Sequence, residues 1–387
     1  MAEPLDPETP GPAPDPETAG PAADPETPDP ETAGPAATGY RSPALDLPGA
    51  VPAPPTAPDQ GVPWHYGDPH AEQRLLVAGR SRVDQSQLAV LEVTGSDRLS
   101  WLNSLLSAKV DQLAPGDSAT ALVLDPNGHV EYELHLVDDG ARTLLIVEPD
   151  RSAELLTYLD RMRFMLDVAV QNVSDELAVL WSAASSSEPG FPSWQLPAEF
   201  AGRGTTPAGS DRGGDAAKYV PTRPGFLTGR QLLVPRADLL EHLLAAGPPA
   251  GSWALEALRV AAAIPRIGQE TDHRTIPHEV GWIGPAVHLA KGCYRGQETV
   301  ARVHNMGRPP RRLVLLQLDG STGVLPSHGD PVRIGDKVVG WIGTAAWHYE
   351  SGPIATAVVK RATPTSDLVV TTADGPVAAA QEVVIQP

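Results

Sequence analysis

The chain has 387 residues, enough for two or three domains with a sizeable buried core. Its one cysteine excludes an internal disulfide and fits a reducing cytosol. The net charge is −19, and residues 1–60 hold 11 acids against the single base Arg41, leaving −9 for the remainder. An acidic body lacks the basic footprint that broad nucleic-acid binding requires. The first residues have neither a basic n-region nor an apolar h-region, and no run reaches the ~18 apolar residues of a membrane span. The expectation is a cytoplasmic protein with no membrane segment.

Residues 1–60 repeat the unit Asp-Pro-Glu-Thr from Asp6, Asp15, Asp24 and Asp29. That composition buries too little apolar surface to offset its ordering entropy, so a disordered tail is expected. A helix is expected over 69–78 and a strand over 88–95. Ser96 or Asp97 then caps a helix whose stripe is Leu99, Leu102, Leu105 and Leu106. A strand over 118–124, a turn at Asp125-Pro126-Asn127-Gly128 and an alternating strand through Val130, Tyr132, Leu134 and Leu136 form a hairpin. A third strand at 143–147 and an amphipathic helix over 150–164 follow. Residues 178–181 read as extended, 185–217 as a surface loop, 230–234 as a strand, and 237–246 and 253–263 as helices. After Arg311, closely spaced strands at 313–318, 331–334, 337–342, 354–359 and 377–385 read as a small β-barrel or sandwich. The division expected is a tail at 1–60, a central region at 61–310 and a barrel domain at 311–387.

The chemistry concentrates at residues 291–298, Lys-Gly-Cys-Tyr-Arg-Gly-Gln-Glu. Gly292 and Gly296 bracket the lone Cys293 in a shaped turn, and Lys291 and Arg295 favour its thiolate. The alternative is a buried, inert cysteine. His273, His278, His288 and His304 flank the motif at no recognised ligand spacing, so no protein-only metal site is expected. One thiol cannot hold an iron–sulfur cluster unaided, although it can supply one ligand of a shared cluster or form a mixed disulfide with a partner. No G-x-G-x-x-G after a strand and no P-loop is present. Arg259, on an apolar helix, can bind a ligand carboxylate or form a structural ion pair. Glu131 and Glu133 share a strand face, where Glu133 can accept from a heterocycle or merely be solvated.

The stretch 291–302, Lys-Gly-Cys-Tyr-Arg-Gly-Gln-Glu-Thr-Val-Ala-Arg, resembles the K-G-C-Y-x-G-Q-E signature of the YgfZ family of folate-binding proteins, relatives of the glycine-cleavage T-protein (aminomethyltransferase). His65-Tyr66-Gly67-Asp68-Pro69 with Glu72, Val93-Thr94-Gly95-Ser96-Asp97 with Trp101-Leu102-Asn103, Leu258 to Ala262 with Ile264 to Ile267, and Gly340 to Thr344 are similar to other family segments. The resemblance spans residues 62–387. It implies an α+β, T-protein-like three-lobed fold with a C-terminal β-barrel, behind the disordered tail. It also implies a tetrahydrofolate (or other reduced folate) ligand, a role in iron–sulfur assembly or repair in client enzymes, and iron–sulfur client or assembly proteins as partners. Cys293 matches the motif cysteine, with Lys291, Tyr294, Gln297 and Glu298 beside it in the catalytic signature. Glu133, Tyr132, Arg259, Gly292 and Gly296 are the candidate folate contacts. T-proteins carry an Asp-Asp pair where this chain has Tyr132 and Glu133, and they lack a thiol at Cys293. Both departures favour YgfZ over aminomethyl transfer, which stays open as the alternative, as does folate as a purely structural or sensing ligand.

Overall fold

The computed structural model describes residues 39–183, 190–200 and 227–386. The expected tail at 1–38 and most of the expected loop at 185–217 lie outside the described residues. Residues 39–60, expected with the tail, instead pack on the body. Ser42 donates to the buried carboxylate of Asp84, Ala44 is fully buried, and Asp59 is paired with Arg266. The Ala- and Pro-rich composition hid these few anchoring side chains. A short pair, β1 (Val51–Pro52) and β2 (Pro63–His65), leads into α1 (Pro69–Val77), which Asp68 caps by accepting from the Ala71 N–H. β3 (Arg82–Asp84) follows.

The next unit is a five-stranded sheet built from β4 (Ala89–Thr94), β5 (Ser118–Leu124), β6 (Val130–Asp138), β7 (Arg142–Val147) and β8 (Ala169–Asn172), in the order β5-β6-β7-β4-β8. α2 (Arg98–Leu105) and α3 (Ser152–Arg161) supply Leu102, Leu155 and Leu159 to a core with Leu91, Leu134 and Leu136 of one sheet face. Each such buried leucine contributes about 1.5–3 kcal/mol. Asp97 stands at the N-cap of α2, but its carboxylate accepts from the Asp167 N–H and makes no cap bond. α3 stops at Arg161, three residues short of the expectation, and Phe164 lies beyond it in the left-handed region.

The second open sheet runs β10-β11-β9-β3, adding β9 (Leu177–Ser182), β10 (Ser193–Gln195) and β11 (Arg230–Pro235). β10 forms within the stretch expected as loop. α4 (Leu239–Leu244) covers one face of this sheet. α5 (Ser252–Ala261) is almost wholly buried, with Leu255 and Leu258 toward the main core and Ala257 and Val260 toward the barrel. α6 (Pro277–Val280) and α7 (Gln297–Met306) complete the helices. The barrel is closed and six-stranded, from β12 (Arg311–Leu318), β13 (Pro331–Ile334), β14 (Lys337–His348), β15 (Gly352–Lys360), β16 (Leu368–Thr372) and β17 (Gly375–Val383), with β17 returning to β12. Closure removes the edge strands a sandwich would leave. β16 was not anticipated from the sequence. No helix among the described residues is long and apolar enough to cross a membrane.

Candidate functional site

Both open sheets and α5 wall a cavity of about 810 Å³, its open mouth included. Trp181, Trp194, Phe200 and Leu255 supply apolar surface, while Glu133, His135, Gln85 and Gln231 supply polar atoms. β6 places Glu133 and His135 on one face because strand side chains alternate. The His135 ring stacks on Trp194 at 3.7 Å and 3°. Its Nδ1 is 2.6 Å from Gln231 Oε1, and Gln231 Nε2 donates to Gln85 Oε1 at 2.9 Å. His135 Nε2 lies 3.7 Å from Glu133 Oε1. A few convergent polar groups on an aromatic wall are what a flat heterocyclic ligand requires.

Glu148, Glu256, Arg259 and Arg266 line another part of the cavity. They belong to one ionic cluster. Arg266 pairs with Asp59 at 2.9 Å, Glu148 at 2.6 Å and Glu256 at 3.4 Å. Burial alone would lower its pKa, yet the charges of Asp59, Glu148 and Glu256 hold it well above the usual value. Burial pushes the Asp59 carboxyl upward against the pull of Arg266. Arg259 was expected either to meet a ligand carboxylate, as a folate contact, or to form a structural ion pair, and the structure shows the ion pair. Its Nε and Nη2 donate to Glu256, its Nη1 to Glu270 and the Ile264 carbonyl, and its Nη2 also to Thr344. All five N–H groups of a guanidinium are thereby used, so Arg259 is the structural ion pair and has no donor left for a ligand. Glu270 also accepts from Thr344 and Thr356, which joins the cavity to β14 and β15.

Tyr132 is the second correction among the expected ligand contacts. Alternation along β6 turns it to the opposite sheet face, where it packs partly buried against the core under α2 and α3. Glu133 remains in the cavity wall.

The 291–298 segment is a loop tied to the body by its neighbours, and none of its residues lines the cavity. Lys291 is buried, and its Nζ donates to the carbonyls of Asn103 (2.6 Å), Leu106 (2.5 Å) and Ala108 (3.0 Å), capping the C-terminus of α2. Burial lowers its pKa to about 8. Tyr294 is buried in the main core, and burial raises its phenol to about 12. Arg295 pairs with Glu131 at 3.2 Å and lies 6.0 Å over the Tyr158 ring. Gly296 stands left-handed (φ 79°) at the start of α7, and a Cβ there would meet the Asp125 carbonyl at 2.6 Å and Gly128 Cα at 2.9 Å. Gly292 has open space around it and no left-handed backbone, so neither space nor backbone requires a glycine there. Gln297 donates weakly to the Lys291 carbonyl at 3.4 Å, and Glu298 is exposed on the first turn of α7. Cys293 is exposed, so the buried, inert alternative does not hold. Neither it nor any other residue of 291–298 contributes to the cavity wall described above. The expected site is therefore two places: a cavity holding Glu133, and a surface thiol held by its neighbours.

Sequence reasoning missed His135, Trp194, Gln231, Arg266 and Asp59. His135 was within reach, since a period of two from Glu133 puts it on the same face. The others come from separate stretches that only the tertiary fold unites.

No protein-family model matches the chain. It is 28% identical over 300 residues to an aminomethyltransferase of Synechococcus elongatus, covering 71% of this chain and 76% of that one. It is 27% identical over 293 residues to an aminomethyltransferase of Rubrobacter xylanophilus, covering 72% and 75%. The crystal structure of glycine cleavage system aminomethyltransferase T from Bartonella henselae superposes with a TM-score of 0.65 at 16% identity, over 89% of this chain and 94% of that one. The α+β fold with its closed barrel is thus that of the aminomethyltransferase. With these relatives in sequence, the chain falls within the T-protein superfamily.

Proposed function

We propose that the chain is a folate-binding protein of the YgfZ type that uses Cys293 to assist iron–sulfur cluster assembly or repair in client enzymes. The observation that carries this reading is the exposure of Cys293 on a loop that Lys291, Tyr294, Arg295 and Gly296 fix to the body. A thiol so held is available to a partner's thiol or cluster, which is where the signature resemblance points. The cavity's residues fit a reduced folate: Trp194, Trp181 and Phe200 offer flat apolar surface, and Glu133 and His135 offer polar atoms for a heterocycle edge. When bound, such a group supplies one-carbon chemistry. The chain's own residues hold its ring and restrict water.

The relatives named aminomethyltransferase, together with Glu133 in the cavity wall, favour one-carbon transfer as a second reading. Reactive geometry tolerates little error, and about 1 Å of misplacement can cost roughly 100-fold. With Tyr132 turned away, Glu133 would act without the neighbouring carboxylate of the Asp-Asp pattern. Cells lacking the protein and complemented with variants separate the two. Cys293→Ala is expected to lower cluster-enzyme activities to the level of the deletion. Normal activities with Cys293→Ala, and loss with Glu133→Ala, would favour the transferase. If neither substitution matters while folate still raises the melting temperature, folate acts only as a structural or sensing ligand.

A further inference from the structure

His135, Gln231 and Gln85 form a hydrogen-bonded chain that crosses from the five-stranded sheet to the four-stranded one. Gln231 Nε2 donates to Gln85 Oε1, so it is the Gln231 carbonyl oxygen that faces His135 Nδ1 at 2.6 Å. An oxygen there needs a donor, which places the imidazole proton on Nδ1. A neutral ring of that tautomer presents the lone pair of Nε2. That lone pair stands 3.7 Å from Glu133 Oε1, a second acceptor, and both residues belong to the cavity wall. Stacking on Trp194, whose own Nε1 donates to Thr120 at 3.1 Å, fixes the plane of the imidazole. The other charged groups of the wall, Glu256, Arg259, Arg266 and Glu148, are paired with one another.

We propose that Glu133 and His135, the latter held in one tautomer by Gln231, form a double acceptor that selects a heterocycle edge bearing two neighbouring N–H donors, such as a ring N–H beside an exocyclic amine. Gln231 and Gln85 are positioning residues that act through the imidazole. The inference rests on the folate reading for its ligand class and goes beyond it by naming which edge of the ring is read and by which atoms.

Two measurements on the full chain test it. The first is the long-range 1H–15N spectrum of the His135 ring at pH 8.5, assigned against His135→Gln. A proton on Nδ1 and none on Nε2 is expected in the wild type, with that preference lost in Gln231→Leu. A proton on Nε2, or on both nitrogens, overturns the double acceptor. The second is binding of 2-amino-4-oxopteridine and of 4-oxopteridine, which lacks the amine. The wild type is expected to favour the amino compound about tenfold or more, because an acceptor left unpaired in the cavity is costly. Gln231→Leu should narrow that preference to within about threefold, as a single weakened hydrogen bond does. Equal binding of both compounds by the wild type sinks this inference and leaves the folate reading standing. Binding of neither sinks both.

Discussion

Gly292 and Gly296 bracket the same cysteine, yet only one is required by its surroundings. Gly296→Ala must place a Cβ at 2.6 Å from the Asp125 carbonyl on a left-handed backbone. It should cost about 2 kcal/mol or more in urea unfolding, whereas Gly292→Ala should stay within about 0.5 kcal/mol. Lys291 offers a sharper contrast between sequence and structure. Its place beside the thiol suggested thiolate activation, but its ammonium is committed to three carbonyls at the end of α2. Lys291→Met leaves those acceptors without their donor and should cost about 1–3 kcal/mol by the same measurement. The motif was legible as a motif because its glycines, cations and lone cysteine crowd eight residues. What each residue does was not, since the capped helix and the hairpin at Gly128 lie more than 150 positions away in the chain.

Among the elements, α6 and β12 are clamped by charge. Arg311, the first residue of β12, pairs with Asp272 at 2.6 Å and with Glu279 of α6 at 2.8 Å. Burial would raise the Asp272 carboxyl, but hydrogen bonding and charge from Arg311 overcome it and bring it to about 2, below its ordinary 3.8. A depressed carboxylate contributes stability that is complete above the unfolded value and lost as pH falls through the folded one. Asp272→Asn should therefore cost about 2 kcal/mol at pH 7, and its gap from the wild type should close as the pH is lowered from 4 toward 2. Urea unfolding at pH 7, 4 and 3 reads this directly. Of the longer elements, α1, the β5–β6 hairpin and α5 lie close to where their periodicity put them, whereas α7, ten residues long, was not anticipated. β3, β10 and α6 were missed because they have three or four residues each, too few for a period to show.

For the whole molecule, packed structure reaches into the stretch that composition assigned to the tail. Ser42, Ala44 and Asp59 tie residues 39–60 to β3, the second sheet and the cavity wall. A chain starting at Gly61 should melt several degrees below the full protein as Arg266 loses a partner. The barrel was legible through its glycine-punctuated strands. The cavity was not, because its walls come from separate stretches between Gln85 and Ile267, and two of its aromatic side chains, Trp194 and Phe200, come from an interval read as loop. The separation of ligand cavity from exposed thiol is the central claim, and calorimetric titration of tetrahydrofolate into the wild type, Glu133→Ala and Cys293→Ser addresses it most directly. Binding by the wild type and by Cys293→Ser with equal affinity, and at least tenfold weaker binding by Glu133→Ala, is expected. No binding by the wild type, or binding lost with Cys293→Ser and kept with Glu133→Ala, would contradict it.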